Sequence, residues 1–243
     1  MKSEIEINLE EIHKRIHKAC KNAGRSVDEV KLLLATKTVS AQRISVALVS
    51  GNTLIAENRI QELKEKYDDL KGIAHTNHFI GHLQSNKIKE LLRYDVVCLQ
   101  SLDNKELADK LNARLELEDK SIEVFIQVNT SNEQSKFGIK PADAIAFARY
   151  LAGLNHLKVK GLMTIGLLSG EDDRVRACFK VLKYVQQQIR EAKIDGVYVD
   201  ELSMGMSGDL EIAIEEGATI VRVGTAVFGT RTTPDSFYWN ESL

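Results

Sequence analysis

The chain has 243 residues, of which 43% are hydrophobic and 28% are charged, and its formal net charge at pH 7 is −2. These values are ordinary for a globular protein, and the length suits one large α/β domain or two small ones. The small net charge gives no indication of binding to nucleic acid or to an acidic membrane surface. The three cysteines lie far apart, which argues against a disulfide framework and against a metal knuckle.

The first residues, MKSEIEINLEEIHKR, are charged and lack the apolar core of a signal peptide. No apolar segment reaches the roughly 18 residues that a membrane span needs. We therefore expect a cytoplasmic protein that does not cross a membrane. Because no linker rich in Pro, Gly or Ser interrupts the sequence, we expect a single domain over residues 1–243.

The predicted elements begin with a helix, in which Leu9, Ile12, Ile16 and Ala19 share one face. After this extra helix, short runs rich in Val, Ile and Leu alternate with longer amphipathic runs, and the short runs are typical of buried parallel strands. The eight predicted strands are Lys31–Thr36, Thr53–Ala56, Thr76–Ile80, Asp95–Leu99, Glu123–Val128, Val159–Ile165, Tyr198–Leu202 and Thr219–Val223.

Helical patterns separate these strands, and Asp103 with Glu106 predicts a capping box at the start of one of them. Eight strands that alternate with helices in a chain of this length indicate a (β/α)8 TIM barrel, for which ~250 residues are typical. An open doubly wound sheet is the alternative, but no G-x-G-x-x-G motif follows the first strand. In a barrel, chemistry is expected at the C-terminal ends of the strands.

Lys37 closes the first predicted strand, so its side chain is expected at the mouth of the barrel. Desolvation at such a position favours the neutral amine, which can attack an aldehyde to form a Schiff base. The alternative is a lysine that extends out of the rim into water. The strand alone does not decide between the two interpretations.

Residues suited to binding an anion follow the last two predicted strands. Ser203 through Ser207 follow strand seven, and Gly224 and Thr225 follow strand eight, where barrels commonly bind phosphate. Each segment alone would also fit an ordinary turn. A lysine on strand one together with a phosphate site on strands seven and eight suits pyridoxal 5′-phosphate (PLP), which has an aldehyde and a phosphate.

Two further side chains are candidates for the PLP ring. Arg222, on strand eight, could donate to the pyridine nitrogen and keep it unprotonated, although an ion pair at the rim is the alternative. Asn58, after strand two, could hydrogen-bond the phenolic oxygen. His75, His78 and His82 lie close in sequence, but their spacing mixes a strand with a loop and no metal site is expected.

The same residues resemble those of the pyridoxal phosphate homeostasis protein family, whose members are similar to the N-terminal barrel domain of alanine racemase. The matching segments span residues from about 31 to 231 and include residues 35–39, 57–62, 78–87, 127–131, 135–138, 161–164, 202–207 and 223–229. This resemblance implies an internal aldimine on Lys37 and a phosphate held by Ser203, Gly224 and Thr225.

The resemblance also implies that Arg222 faces the pyridine nitrogen and that Asn58 lies near the ring. One departure is Ala56, which stands where the family usually has glycine.

The resemblance does not decide whether the protein is an enzyme or a PLP carrier. A racemase needs a base on each face of the substrate carbanion, and in alanine racemase the second base is a tyrosine from another domain. Since this sequence ends shortly after its eighth strand, we expect a monomeric PLP-binding protein that buffers the cofactor or delivers it to PLP-dependent apo-enzymes. A weakly active racemase-type enzyme is the alternative, and a Schiff-base aldolase without PLP is a third hypothesis.

Overall fold

The computed structural model describes residues 2–133, 135–167 and 170–230 of the chain. Eight parallel strands close into a barrel in sequential order, and the first strand pairs with the last. The strands are β1 Lys31–Ala35, β2 Leu54–Glu57, β3 Thr76–Phe79, β4 Val96–Leu102, β5 Ile122–Gln127, β6 Leu157–Met163, β7 Glu201–Ser203 and β8 Ile220–Val223. The predicted (β/α)8 barrel is confirmed, and the closed sheet excludes the open doubly wound alternative.

Helices surround this barrel, and one of them precedes its first strand. In chain order they are α1 Glu4–Asn22, α2 Ala41–Val49, α3 Ile60–Leu70, α4 Ile88–Arg93, α5 Lys105–Leu117, α6 Ala144–Ala152, α7 Asp172–Glu191, α8 Leu210–Glu215 and α9 Thr225–Phe228. No helix in the described ranges is long and apolar enough to span a bilayer. Residues 231–243 lie outside those ranges, so a single domain over 1–243 stays a prediction.

Side chains alternate between two cores because successive residues of a strand point to opposite faces. The larger core lies between the strands and the helices. The smaller core fills the barrel interior with Leu33, Ala56, Cys98, Phe125, Met163 and Ile220. The methyl group of Ala56 is therefore accommodated inside the barrel, where the residue is 1% exposed.

The extra helix α1 packs its predicted apolar face against α8, α9 and α2. Its polar side chains reach the loops that follow the last two strands. Arg15 pairs with Glu211 of α8 at 2.7 Å and donates to the carbonyl of Ser207 at 2.9 Å, and Asn8 donates to the carbonyl of Val227 at 3.0 Å. The helix thus supports the backbone of the β7 and β8 loops.

The predicted capping box at Asp103 and Glu106 is wrong. The cap of α5 is Asn104, whose side-chain oxygen accepts from the amide of Leu107 at 2.8 Å. Asp103 instead accepts from the amide of Gly138 in the β5 loop at 2.9 Å. The helix begins one residue later than predicted because Asp103 is held by this tertiary contact.

Candidate functional site

Lys37 lies in a tight turn at the C-terminal end of β1. The amide of Val39 donates to the carbonyl of Thr36 at 3.0 Å, which closes the turn around Lys37. Thr38 has a φ of +64°, a left-handed conformation that is uncommon for a β-branched residue. Lys37 itself is half-buried. The turn presents its side chain at the mouth of the barrel.

A cavity of about 210 Å³ joins Lys37 to the segment after β8. Its lining includes Lys37, Gly224 and Thr225, together with Arg43 and Phe228. Strand β8 pairs directly with β1, so closure of the barrel places residues that are far apart in sequence beside each other. The structure therefore brings together three of the predicted site residues.

Ser207 connects the β7 loop to the β8 loop. Its hydroxyl accepts from the hydroxyl of Thr225 at 3.3 Å and lies 3.4 Å from the amide nitrogen of Ala226. In the sequence, Ser207 belongs to the segment from Ser203 to Ser207 that follows β7, but nothing in that segment marks Ser207 as a site residue. Its position beside Thr225 makes Ser207 an additional candidate phosphate ligand.

Ser203 lies deeper in the barrel than expected of a phosphate ligand at the mouth. The residue is fully buried inside the barrel, where its hydroxyl accepts from Nη1 of Arg222 at 2.8 Å and donates to Oε1 of Gln100 at 2.6 Å. The hydroxyl therefore already has a donor and an acceptor within the protein. This geometry favours a role for Ser203 in orienting Arg222 over direct contact with phosphate.

Arg222 is a buried cation whose side chain projects into the barrel. Besides Ser203, it donates to the carbonyl of Thr164 at 2.7 Å. In the described ranges no carboxylate forms an ion pair with it, so the predicted alternative of a rim ion pair is not observed. Burial lowers the pKa of Arg222 to about 10, which leaves the guanidinium charged at neutral pH. A buried charge with neutral partners favours a ligand that supplies negative charge or a strong acceptor.

Asn58 follows β2 and has an unsatisfied buried atom. Its Oδ1 is buried and has no hydrogen-bond partner among the described residues. An unsatisfied amide oxygen is costly unless a ligand or water pairs with it. Asn58 and Arg222 do not line the cavity between Lys37 and Thr225, but they supply a buried acceptor and a buried charge as candidates for the PLP ring, and the cavity supplies candidates for the aldehyde and phosphate ends. The residues present therefore fit PLP.

The three neighbouring histidines have separate surroundings. His75 Nδ1 lies 2.6 Å from the carbonyl of Ile73, and the ring of His82 stacks on Phe137 at a centroid distance of 4.0 Å. His78 is buried inside the barrel, where its Nδ1 lies 2.7 Å from Nε2 of Gln100. No group of three potential metal ligands occurs among the residues that the structure describes.

The hydrogen bonds from Arg222 through Ser203 and Gln100 determine the tautomer of His78. Arginine only donates, so the Ser203 hydroxyl must donate onward to Gln100, and the Gln100 amide nitrogen then donates to His78 Nδ1. Nδ1 is therefore unprotonated and the ring proton is on Nε2. Burial lowers the pKa of His78 from 6.5 to about 4, in agreement with a neutral ring.

This lowered pKa predicts a loss of stability in acid. Above pH 6.5 the ring is neutral in both states, whereas between pH 6.5 and pH 4 the unfolded chain binds a proton that the folded chain does not. The free energy of unfolding should therefore fall over this interval by at most about 3 kcal/mol. Urea unfolding at pH 7 and pH 5 measures the change.

The variant His78→Asn keeps an oxygen near the position of Nδ1 and removes the titration. We expect its unfolding free energy to vary less between pH 7 and pH 5 than that of the unmodified chain. The exposed His17, replaced in the same way, is the control and should leave the pH dependence as it was. Equal pH dependence in all three proteins would contradict the assignment to His78.

The fold and the site define a barrel of the alanine racemase type. The family model of the alanine racemase N-terminal domain matches residues 7–232 of the chain. A pyridoxal phosphate homeostasis protein from Aquifex aeolicus is 41% identical over 223 residues, which cover 92% of this chain and 96% of the relative. The chain belongs to the pyridoxal phosphate homeostasis protein family.

Two solved structures are also similar. A crystal structure of an unknown protein from Bifidobacterium adolescentis has a TM-score of 0.88 and 38% sequence identity, and the match covers 93% of this chain and 94% of that one. A structure of PipY from Synechococcus elongatus PCC7942 with PLP bound has a TM-score of 0.78 and 29% identity, over 88% of this chain and 100% of PipY. PipY thus binds PLP on the same fold.

Proposed function

We propose that this protein binds PLP at the mouth of its barrel and takes part in intracellular PLP homeostasis. The observation that supports this most strongly is the cavity that has Lys37 on one side and Gly224 and Thr225 on the other. An aldehyde and a phosphate joined by one aromatic ring match these two ends. Membership of the homeostasis family and the PLP-bound structure of PipY support the same ligand.

Each end of the cavity has a chemical role in this proposal. Lys37 would hold PLP at its aldehyde end, where the lysine amine would supply the nucleophile for a covalent Schiff-base link. The backbone of Gly224 and the hydroxyls of Thr225 and Ser207 bind the phosphate. Ser203, predicted as a phosphate ligand, instead acts by orienting Arg222.

Arg222 and Asn58 are the residues proposed to contact the PLP ring. Arg222 would face the pyridine nitrogen and donate to it, which would hold that nitrogen unprotonated because the guanidinium does not release its proton at neutral pH. Asn58, whose Oδ1 is buried without a partner among the described residues, would lie near the phenolic oxygen. An unprotonated ring withdraws electrons weakly, so the arrangement favours holding the cofactor over catalysis.

Delivery to PLP-dependent apo-enzymes, in place of turnover, is the second part of the proposal. Among the described residues that line the cavity, Lys37 and Arg43 are those with ionisable side chains. A racemase needs a second base opposite the lysine, and arginine is a poor base. A racemase-type enzyme with weak activity is the alternative function, since the barrel matches the alanine racemase domain.

We further propose a cytoplasmic monomer, in which the three buried free cysteines stay reduced.

Absorbance spectroscopy and chemical trapping test the proposal. Purified protein incubated with PLP should develop a visible band, and reduction with borohydride should attach one reduced cofactor to the peptide that contains Lys37. A protein that stays colourless and unlabelled would rule out PLP binding through a Schiff base. Incubation of the loaded protein with a panel of amino acids then separates the two functions, because sustained racemisation of any one of them would contradict the carrier role.

A further inference from the structure

A buried polar cluster lies behind Lys37, and none of its residues is among the proposed cofactor contacts. The cluster consists of Thr36, Glu57, Glu62 and Lys66, and we call it the Lys66 cluster. Lys66 is on the inner face of α3 and is 8% exposed. Its Nζ donates to the carbonyl of Thr36 at 2.9 Å, to Oε1 of Glu57 at 2.8 Å and to Oε2 of Glu62 at 2.5 Å.

The cluster contacts the peptide groups on both sides of Lys37. On the N-terminal side, the carbonyl of Thr36 accepts from Lys66, and the hydroxyl of Thr36 donates to Oε1 of Glu57 at 2.6 Å. On the C-terminal side, the amide of Thr38 donates to Oε2 of Glu62 at 3.1 Å. One ammonium group thus links the carboxylates and the carbonyl that hold the Lys37 turn.

The backbone of this turn needs such support. The left-handed φ of Thr38 is unfavourable for a β-branched residue and persists only where surrounding contacts impose it. The bond from the Thr38 amide to Glu62 is one of these contacts, and the bond from Lys66 to the Thr36 carbonyl is the other. Local bonds also close the turn, from the Val39 amide to the Thr36 carbonyl and from the Thr38 hydroxyl to the preceding carbonyl, but they do not tie it to the rest of the barrel.

The cluster is a costly way to stabilise a fold. Burying charged groups loses hydration, and apolar residues of similar size often give equal or greater stability. Glu57 shows this cost: burial outweighs the attraction of Lys66 and raises its pKa to about 7, and its second oxygen has no partner among the described residues. A positional role for the cluster accounts for its presence better than a contribution to stability.

We propose that Lys66, acting through Glu62 and Glu57, is a positioning residue that fixes the Lys37 turn so that the lysine amine is aimed into the cavity shared with Gly224 and Thr225. The proposal deepens the proposed function and rests on the role of Lys37 in it. It assigns no cofactor contact to Lys66. Its expected consequence is that loss of Lys66 impairs the reaction at Lys37 and leaves the binding of phosphate unchanged.

The test introduces the same substitution into two backgrounds of the full chain. Lys66→Met replaces the ammonium by an apolar group of similar length, and its effect is measured with and without Lys37→Ala. In the unmodified background we expect Lys66→Met to slow the appearance of the PLP band by at least about tenfold. In the K37A background it should leave non-covalent PLP affinity unchanged, because Lys66 acts through Lys37.

Lys64→Met is the matched control, since Lys64 lies on the outer face of the same helix and is exposed. It should leave the rate of band formation unchanged. If Lys66→Met weakens PLP binding equally in both backgrounds, Lys66 acts on the whole site and the proposal is overturned. If Lys66→Met does not fold, Glu62→Met takes its place, because it removes the acceptor of the Thr38 amide and leaves the pair of Glu57 and Lys66 intact.

Hydrogen exchange gives a second readout that does not depend on PLP. In the protein without added cofactor, the amides of Thr38 and Val39 should exchange at least about tenfold faster in Glu62→Met or Lys66→Met than in the unmodified chain. Unchanged exchange at both amides would overturn the positioning role. Failure of the unmodified protein to form the PLP band would instead contradict the proposed function, and the exchange result would still be interpretable.

Discussion

Replacement of Lys37 by alanine is expected to abolish the visible band of the PLP-loaded protein and to lower its affinity for PLP by at least about 100-fold. The change removes the only covalent bond proposed for the cofactor, and a factor of 100 corresponds to about 2.7 kcal/mol of binding free energy. Some affinity should remain, because the phosphate contacts proposed for Gly224, Thr225 and Ser207 do not involve the lysine. Absorbance spectra and a fluorescence titration with PLP measure the two effects.

The control for this variant is Lys64→Ala, which removes an exposed lysine of α3 and should change neither the spectrum nor the affinity. Lys37 is half-buried in a loop turn, so its truncation should lower the thermal midpoint only slightly. A visible band of undiminished intensity in Lys37→Ala would show that another lysine forms the Schiff base. Peptide mapping after borohydride reduction would identify that lysine.

Replacement of Gly81 by alanine is expected to destabilise the protein by about 3 kcal/mol and to weaken PLP binding. A Cβ atom at this position would lie 1.9 Å from the carbonyl oxygen of Asn58 and 2.7 Å from its Cα. Overpacking of this kind costs about 1–3 kcal/mol, and here the obstacle is backbone, which yields less than a side chain. The hydroxyl of Ser101 also holds the carbonyl of Gly81, so the β3 loop cannot simply move away.

Because the obstructing atoms belong to Asn58, relief of the clash must displace a residue of the candidate site. Urea unfolding gives the change in stability, and a PLP titration at a temperature where the variant is folded gives the change in affinity. Gly72→Ala is the control, since a Cβ there meets no atom within 4 Å. A Gly81→Ala variant with the stability and affinity of the Gly72→Ala control would contradict the close packing of the β2 and β3 loops.

Several features of the site were beyond prediction from the sequence. Ser203 and Ser207 are four residues apart in one polar segment, and only the pairing of β7 with β8 shows that Ser203 points into the barrel while Ser207 meets Thr225. The sequence around a serine does not indicate which group will be the hydrogen-bond partner of its hydroxyl. The same holds for Asn104, which caps α5 because Asp103 is drawn to Gly138 across 35 positions of sequence.

The unusual position of Lys66 can be recognised from the sequence. Lys66 lies three positions after Leu63, on the same face of α3 as Ile60 and Leu70. A lysine on an apolar helix face is rarely buried unless its ammonium group has a buried partner. Periodicity could therefore identify Lys66 as unusual. It could not identify Thr36 as a partner, because Thr36 follows β1 and lies 30 positions away in the sequence.

The sequence by itself determined the fold class and the position of Lys37 at a strand end, because the alternation of apolar runs with amphipathic helices depends on local periodicity. It also determined which segments supply glycines and hydroxyls to the mouth, since parallel strands in a barrel all end on one face. Only the tertiary structure decided how these groups share their hydrogen bonds. Barrel closure joins β1 to β8, the pairing of β7 with β8 places Ser203 beneath Arg222, and the pairing of β1 with β2 places the Lys66 cluster behind Lys37. These pairings depend on strand register and burial, which link residues distant in sequence.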